Sequence, residues 1–263
     1  MKFLAARRRS PIVATALLFG ALAAVGVGYA AIATVQPAQA AISVGSETQV
    51  EAGRQLYLEG CSSCHGLEAQ GTQSAPTLLG VGAAAVDFQV STGRMPLAAP
   101  GAQAPSVEAT YDDEQVAAMA AYIGSLAPGP AIPTAEQYDY ADADPAMGGE
   151  LFRINCSQCH QAAGQGGALT QGKYAPSLME ASPKEIYMAM ITGPQNMPVF
   201  SDAQLDTPAK QDIISYVRTL QESPNPGGLS LGRLGPVTEG VFLATAVFAV
   251  LIAAAVWIGI KSR

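Results

Sequence analysis

The chain has 263 residues, 49% of them hydrophobic and only 13% charged, whereas an average soluble domain carries about 25% charged residues. Its 14 basic and 21 acidic residues give a net charge of −7. That balance excludes an even basic coating for a phosphate backbone, so no nucleic-acid partner is expected. The composition also excludes collagen, a coiled coil and general disorder, and the length allows one or two domains.

Residues 1–40 read as a signal or anchor. Lys2, Arg7, Arg8 and Arg9 precede an apolar run from Pro11 to Val35. A signal-peptide core spans about 7–15 residues and a spanning helix needs about 20. The length of this run favours an anchor, while Ala38-Gln39-Ala40 offers an A-x-A cleavage site. Both readings stay open at this point.

The middle of the chain is a duplication. Cys61-Ser62-Ser63-Cys64-His65 recurs as Cys156-Ser157-Gln158-Cys159-His160. Gly53 and Tyr57 precede the first cluster at the spacing with which Gly148 and Phe152 precede the second. Downstream, Ala75-Pro76-Thr77-Leu78 answers Ala175-Pro176-Ser177-Leu178, and the loop ending in Met95-Pro96 answers the one ending in Met197-Pro198. Helical patterns close the repeats, over Asp113 to Leu126 and Lys210 to Leu220. Two homologous, mainly α-helical domains follow, at 47–127 and 146–222. The segment between them, 128–145, is rich in Pro, Ala and acid and reads as an exposed linker of polyproline character. No run of alternating strands is visible.

The C-terminal end is apolar again. Val241 to Ile260 carries no charge and is followed by Lys261 and Arg263. At 1.5 Å per residue it is long enough to cross about 30 Å of hydrocarbon, so a transmembrane helix is expected over 237–260, with Trp257 suited to the interface. Basic residues at both termini place both ends in the cytoplasm by the positive-inside rule, and the middle on the extracytoplasmic (periplasmic) side of the cell membrane. From 41 to 235 there are 8 basic and 20 acidic residues, a net −12, which keeps the surface solvated and can orient it toward a basic partner.

C-x-x-C-H is the covalent attachment signature of c-type haem. Two thiols three positions apart reach the two vinyl groups of one porphyrin, and the adjacent imidazole then meets the iron from the same side. Cys61 and Cys64, and Cys156 and Cys159, are therefore expected to hold two covalently bound haem c groups, with His65 and His160 on the irons. A zinc site would pair the two clusters, which lie far apart in sequence. A thioredoxin-like motif would need a βαβ context. A disulfide within each cluster leaves both histidines unexplained. No further His remains for the sixth position. Met95 and Met197, at matching stations before Pro, are the expected axial partners. The other methionines of the repeats (Met119, Met147, Met179, Met188 and Met190) read as packing. The carbonyls of Pro76 and Pro176 are candidates to accept the His Nδ1–H and fix the ring. Arg94 and Lys173 are candidate haem-propionate partners, with solvated surface as the competing reading. Gly53, Gly148, Tyr122 and Tyr216 suit a close helix crossing.

Each repeat resembles a class I cytochrome c. Several stretches also resemble the diheme cytochrome c subunit of the actinobacterial quinol–cytochrome c reductase, the cytochrome bc complex. They are Phe88-Gln89-Val90-Ser91-Thr92-Gly93-Arg94-Met95-Pro96, Gly166-Gly167-Ala168-Leu169, Gly172-Lys173-Tyr174-Ala175-Pro176, Thr192-Gly193-Pro194-Gln195-Asn196-Met197-Pro198 and Trp257-Ile258-Gly259. The resemblance implies a subunit beside a cytochrome b and a Rieske iron–sulfur protein. It would pass electrons from the iron–sulfur centre through two haems to a haem-copper terminal oxidase. By the same resemblance the N-terminal domain receives and the C-terminal domain delivers. The chain would count as an enzyme only as the electron-transfer subunit of a translocase, with no substrate chemistry of its own. Two alternatives are a diheme subunit of a periplasmic dehydrogenase or of a haem-copper oxidase, and a diheme peroxidase. The last needs a displaceable sixth ligand, against which the two matched Met loops argue.

Overall fold

A computed structural model of the chain describes residues 11–33, 45–99, 101–222 and 236–261. The Ala38-Gln39-Ala40 motif and the basic N-terminal residues lie outside these. The fold is mainly α-helical. The N-terminal unit contains helix α1 (Pro11–Ala33), whose described side chains, Thr15–Val27, form an apolar stretch.

The second unit begins with α2 (Glu47–Gly60), started by the Ser46 side chain, which accepts the Gln49 N–H. The single turn α3 (Ser62–His65) follows at once. Next come α4 (Ala83–Ser91) and α5 (Asp113–Leu126), the latter opened by a reciprocal Asp112–Gln115 capping box. The second repeat runs through α6 (Pro145–Asn155), α7 (Ser157–His160), a ribbon of β1 (Gly167–Ala168) and β2 (Tyr174–Ala175), α8 (Pro183–Thr192) and α9 (Thr207–Glu222). Helix α9 starts three residues before the expected pattern, because helix-compatible Thr207, Pro208 and Ala209 occupy its first turn. The ribbon is antiparallel, pairing Gly167 with Ala175 and Ala168 with Tyr174. At two residues per strand it is too short to leave an alternating signature in the sequence.

Helix α10 (Pro236–Lys261) covers the C-terminal apolar run. Its 24 residues from Thr238 to Lys261 are long and apolar enough to cross a membrane, and Lys261 lies 4.8 Å from the centre of the Trp257 ring.

The repeats are built on one helix crossing used twice. In the first, α2 meets α5 where Gly53 faces the backbone of Ala118; a Cβ on Gly53 would fall 1.9 Å from the Ala118 carbonyl oxygen. In the second, a Cβ on Gly148 would fall 1.8 Å from the Asp212 carbonyl oxygen. One turn along, Tyr57 packs on Tyr122 with ring centres 5.4 Å apart, and Phe152 on Tyr216 at 5.3 Å. The expected close crossing is therefore present in both domains. On a solvated helix Gly→Ala would stabilise by up to about 1 kcal/mol. Here Gly148→Ala forces the helices apart and is expected to cost about 3 kcal/mol, read as a lowered melting temperature of the purified holoprotein. An unchanged melt would show that the backbones do not meet at Gly148.

The connection between the domains is not the solvated linker expected. Its half-buried residues strap both domains. Ile132 packs against the first core, while Tyr138 and Tyr140 pack against the second. The Pro130 carbonyl accepts the Ala84 N–H at 3.0 Å, and the Gln211 amide donates to the Glu136 carbonyl at 2.8 Å. The segment is not polyproline throughout, since it makes a 3-10 turn at Ala135–Gln137, and its apolar and aromatic side chains have cores to enter. The domains also pack directly, Ala84 and Phe88 of α4 meeting Met188 of α8.

Candidate haem site

Each Cys-x-x-Cys-His motif is one tight turn at a helix end. The His65 N–H donates to the Cys61 carbonyl at 3.0 Å, and the His160 N–H to the Cys156 carbonyl at 2.9 Å. The turn is tied back to the preceding helix by serine, Ser62 Oγ donating to the Leu58 carbonyl and Ser157 Oγ to the Arg153 carbonyl. No disulfide joins any of the four cysteines. Burial first, and the neighbouring Cys159 second, push the Cys156 thiol up to about 12. Burial likewise raises Cys61, with Cys64 adding to it.

Both imidazoles are buried and oriented alike. His65 Nδ1 lies 2.8 Å from the Pro76 carbonyl oxygen, and His160 Nδ1 lies 2.9 Å from that of Pro176. A carbonyl can only accept, so each Nδ1 carries the proton and each Nε2 keeps a free lone pair. Burial holds His160 below its ordinary value, against the opposing pull of the Pro176 bond, which favours the neutral ring that binds a metal. In the first domain Tyr57 Oη donates to the Gly66 carbonyl at 2.6 Å, just beyond the motif. Burial, then Cys61, pushes this phenol up to about 12, which keeps it a donor.

The second domain brings its expected site residues together. Cys156, Cys159, His160 and Met197 line one cavity of about 420 Å³ with largely apolar walls, among them Phe152, Ile213 and Val217. A cavity of this size, with two thiols, a free imidazole nitrogen and a thioether on its walls, fits a covalently held haem. In the first domain Cys61 and Met95 pack against the same core cluster, and His65 is buried. Among the described residues, no three His, Cys, Asp or Glu side chains converge in the manner of a metal-ion site.

The two Met loops differ. Met95 is held by its N–H to the Gln89 carbonyl at 2.9 Å. The second loop is two residues longer, Pro194-Gln195-Asn196 standing where the first has Arg94 alone. There Met197 N–H donates to the Pro194 carbonyl, and Asn196 accepts from Lys173 Nζ at 2.9 Å. Gln195 reaches into the first domain, its amide exchanging two bonds with the backbone of Ala104. Gln103 answers with two bonds to the backbone of Tyr174. Lys184 of α8 adds an ion pair at 2.8 Å to Asp87 of α4, whose carboxylate is buried.

Of the packing methionines, Met119, Met188 and Met190 are buried as expected. Met147 is 46% exposed and packs into no core; it sits in the first turn of α6, on the solvent side. Arg94 and Lys173 both line the cavity, so neither is plain surface.

Sequence reasoning missed the two glutamines, the Asp87–Lys184 pair and Lys210. Lys210 is fully buried, donating to Asp202 Oδ1 at 2.7 Å and to the Leu205 carbonyl. It takes the place that the buried Val116 holds two residues before the first crossing. The bond ties down the chain just after the Met197 loop. The signal available for the glutamines was the length difference between the loops.

Comparison with known proteins gives the geometry a context. A family model described as cytochrome c matches residues 50–127. One described as cytochrome c oxidase, cbb3-type, subunit III matches residues 143–217. Relatives called cytochrome bc1 complex cytochrome c subunit are similar over most of the chain. The one from Corynebacterium efficiens is 45% identical over 253 residues, covering 90% of this chain and 86% of that protein. That from Corynebacterium diphtheriae is 42% identical, covering 98% and 97%, and that from Mycobacterium tuberculosis 44% identical, covering 94% and 90%.

Proposed function

This chain belongs to the family of cytochrome bc1 complex cytochrome c subunits, and on that premise we propose that it is the membrane-anchored diheme electron carrier of such a complex. The units at 47–127 and 146–222 each hold one covalent haem c. Cys61, Cys64, Cys156 and Cys159 would form the thioethers, and His65 with Met95 and His160 with Met197 would bind the irons. The observation that carries this is the convergence of Cys156, Cys159, His160 and Met197 on one cavity, with the His160 ring turned by Pro176.

Bound haem supplies a one-electron iron couple, which Met/His ligation sets at a high potential. The chain's own part is to hold the rings rigidly and keep water from them. The carbonyls of Pro76 and Pro176 fix the imidazoles, the paired helices wall off the cavity, and the straps between the domains set one site against the other. Electrons enter from a Rieske iron–sulfur subunit beside a cytochrome b and leave for a haem-copper terminal oxidase. Helix α10 anchors the carrier, with the haem domains on the extracytoplasmic face and the C-terminus in the cytoplasm. Residues 1–40 act as a second anchor or a cleaved signal.

Purification in mild detergent through a C-terminal tag tests this. Recovery with b-type haem, a Rieske protein and quinol oxidation supports the proposal, and added a-type haem places the oxidase beside it. Recovery with c-type haem alone would overturn it. Deleting the chain is expected to abolish quinol-driven oxidase reduction, and unchanged flux would also sink the reading.

A further inference from the structure

We propose that Arg94, carried by the first domain, holds a carboxylate of the haem bound in the second domain. The proposal rests on the haem reading above. The second-domain cavity is not closed by its own domain: Phe88, Thr92, Arg94, Gln103 and Ala104 of the first domain complete its wall. The Arg94 guanidinium lies 4.8 Å from the centre of the Phe88 ring. It has no carboxylate within 4 Å among the described residues; the four ion pairs there belong to other side chains. Burial pulls its affinity for a proton down, with Glu185 and then Tyr174 opposing, yet a guanidinium stays charged in any protein setting. Beyond the Phe88 ring face and the more distant charge of Glu185, a partly desolvated guanidinium with no carboxylate in bonding range is costly, and an anion in the cavity lowers that cost. Haem carries two carboxylates, and a planar guanidinium grips a carboxylate through two parallel bonds.

The duplication points the same way. Arg94 immediately precedes Met95, whereas the corresponding stretch of the second loop, Pro194-Gln195-Asn196, contains no cation. The second domain supplies Lys173 from the connection between β1 and β2, and that ammonium is already bonded to Asn196. The first domain thus supplies the guanidinium of the cavity wall, since Arg153 and Arg218 of the second do not line it. Its position is fixed by the reciprocal Gln103–Tyr174 and Gln195–Ala104 bonds and by the Asp87–Lys184 pair. Arg94 and Met95 then make adjacent residues answer to different haems, one as a carboxylate partner and one as an axial ligand.

Arg94 is a positioning residue, and its removal has a sign. A positive charge near the haem opposes the extra positive charge of ferric iron. Arg94→Gln is therefore expected to lower the second haem's potential, by about a three- to tenfold change in its redox equilibrium constant at an effective dielectric near 20. Arg94→Lys restores part of it. The test is a spectroelectrochemical titration of the full detergent-solubilised chain. It is repeated with Met197→His, which displaces the second haem's potential and so labels it. A shift of the labelled component upholds the proposal. A shift of the first haem alone, or none, with two haems per chain and an unchanged Soret band, overturns it. Failure to find a haem in the second domain of the unmutated chain overturns the underlying reading instead. If either variant does not fold, the structure of the haem-loaded wild-type chain decides. A carboxylate oxygen within hydrogen-bond distance of Arg94 upholds the proposal, and carboxylates held only by Lys173 or water overturn it.

Discussion

Replacing Cys156 and Cys159 together with Ala is expected to remove one haem per chain and to unfold the second domain while leaving the first intact. The two thiols are the only covalent means of holding the cofactor there, and the cavity they serve is about 420 Å³. The buried core cluster around it includes Phe152, Ile186, Met190, Phe200, Ile213 and Val217, all of which line the cavity and would be left facing a void. At about 24 cal/mol per Å³ of unfilled volume, an empty cavity of that size costs about 10 kcal/mol. Even half of that, for a cavity partly open to water, approaches the whole stability of a small domain, about 5–15 kcal/mol. Haem would then be a large part of the core, which is how a domain of this size could reach its stability. The check is haem per chain from the alkaline pyridine spectrum, with limited proteolysis to follow each domain. Two haems per chain, or a second domain still resistant to protease, would contradict the assignment.

Much of this was legible from residue types at fixed spacings. The duplication, the attachment motifs and the matched Met-Pro loops are local patterns, and local chemistry enforces them. Gly53 and Gly148 were legible as a crossing because only a missing Cβ lets two helix backbones meet so closely. The Pro76 and Pro176 carbonyls could be foreseen because a metal-bound imidazole needs an acceptor for its other nitrogen. What stayed hidden is tertiary. Gln103 and Gln195 carry no periodic signal, and each becomes a clamp only once the other domain's backbone lies opposite. Asp87 reads as one polar residue in a short helix until Lys184 is placed against it. The 128–145 segment has a linker's composition, yet Ile132, Tyr138 and Tyr140 bury themselves in the two cores. Lys210 in a core contradicts the usual preference for apolar residues there. Its reason, a bond to the Leu205 carbonyl, depends on a loop closure that spacing does not encode.

Met95→Ala and Met197→Ala are each expected to lose half of the near-infrared Met–iron charge-transfer band and to lower the potential of one haem. Axial ligands span about 0.8 V of haem potential, and a shift on the order of 0.1–0.2 V is expected from losing a thioether. Full band intensity in either variant would exclude that methionine as a ligand. The two loops give the variants different local consequences. Around position 197, Gln195 still binds Ala104 and Asn196 still binds Lys173, so the loop stays in place and leaves an open sixth position. Around position 95 the chain is held by its own bond to the Gln89 carbonyl, so the Met95 loop is expected to relax more. This asymmetry also gives a way to order the haems. If the N-terminal domain receives and the C-terminal domain delivers, Met197→Ala leaves the first haem fully reducible by quinol while delivery to the oxidase stops. Met95→Ala, by lowering the potential of the entry site, slows reduction of both. The opposite pattern would place the entry at the second domain. Arg94, which stands next to Met95 and lines the second cavity, would then sit on the carboxylate side of the entry haem rather than of the exit haem.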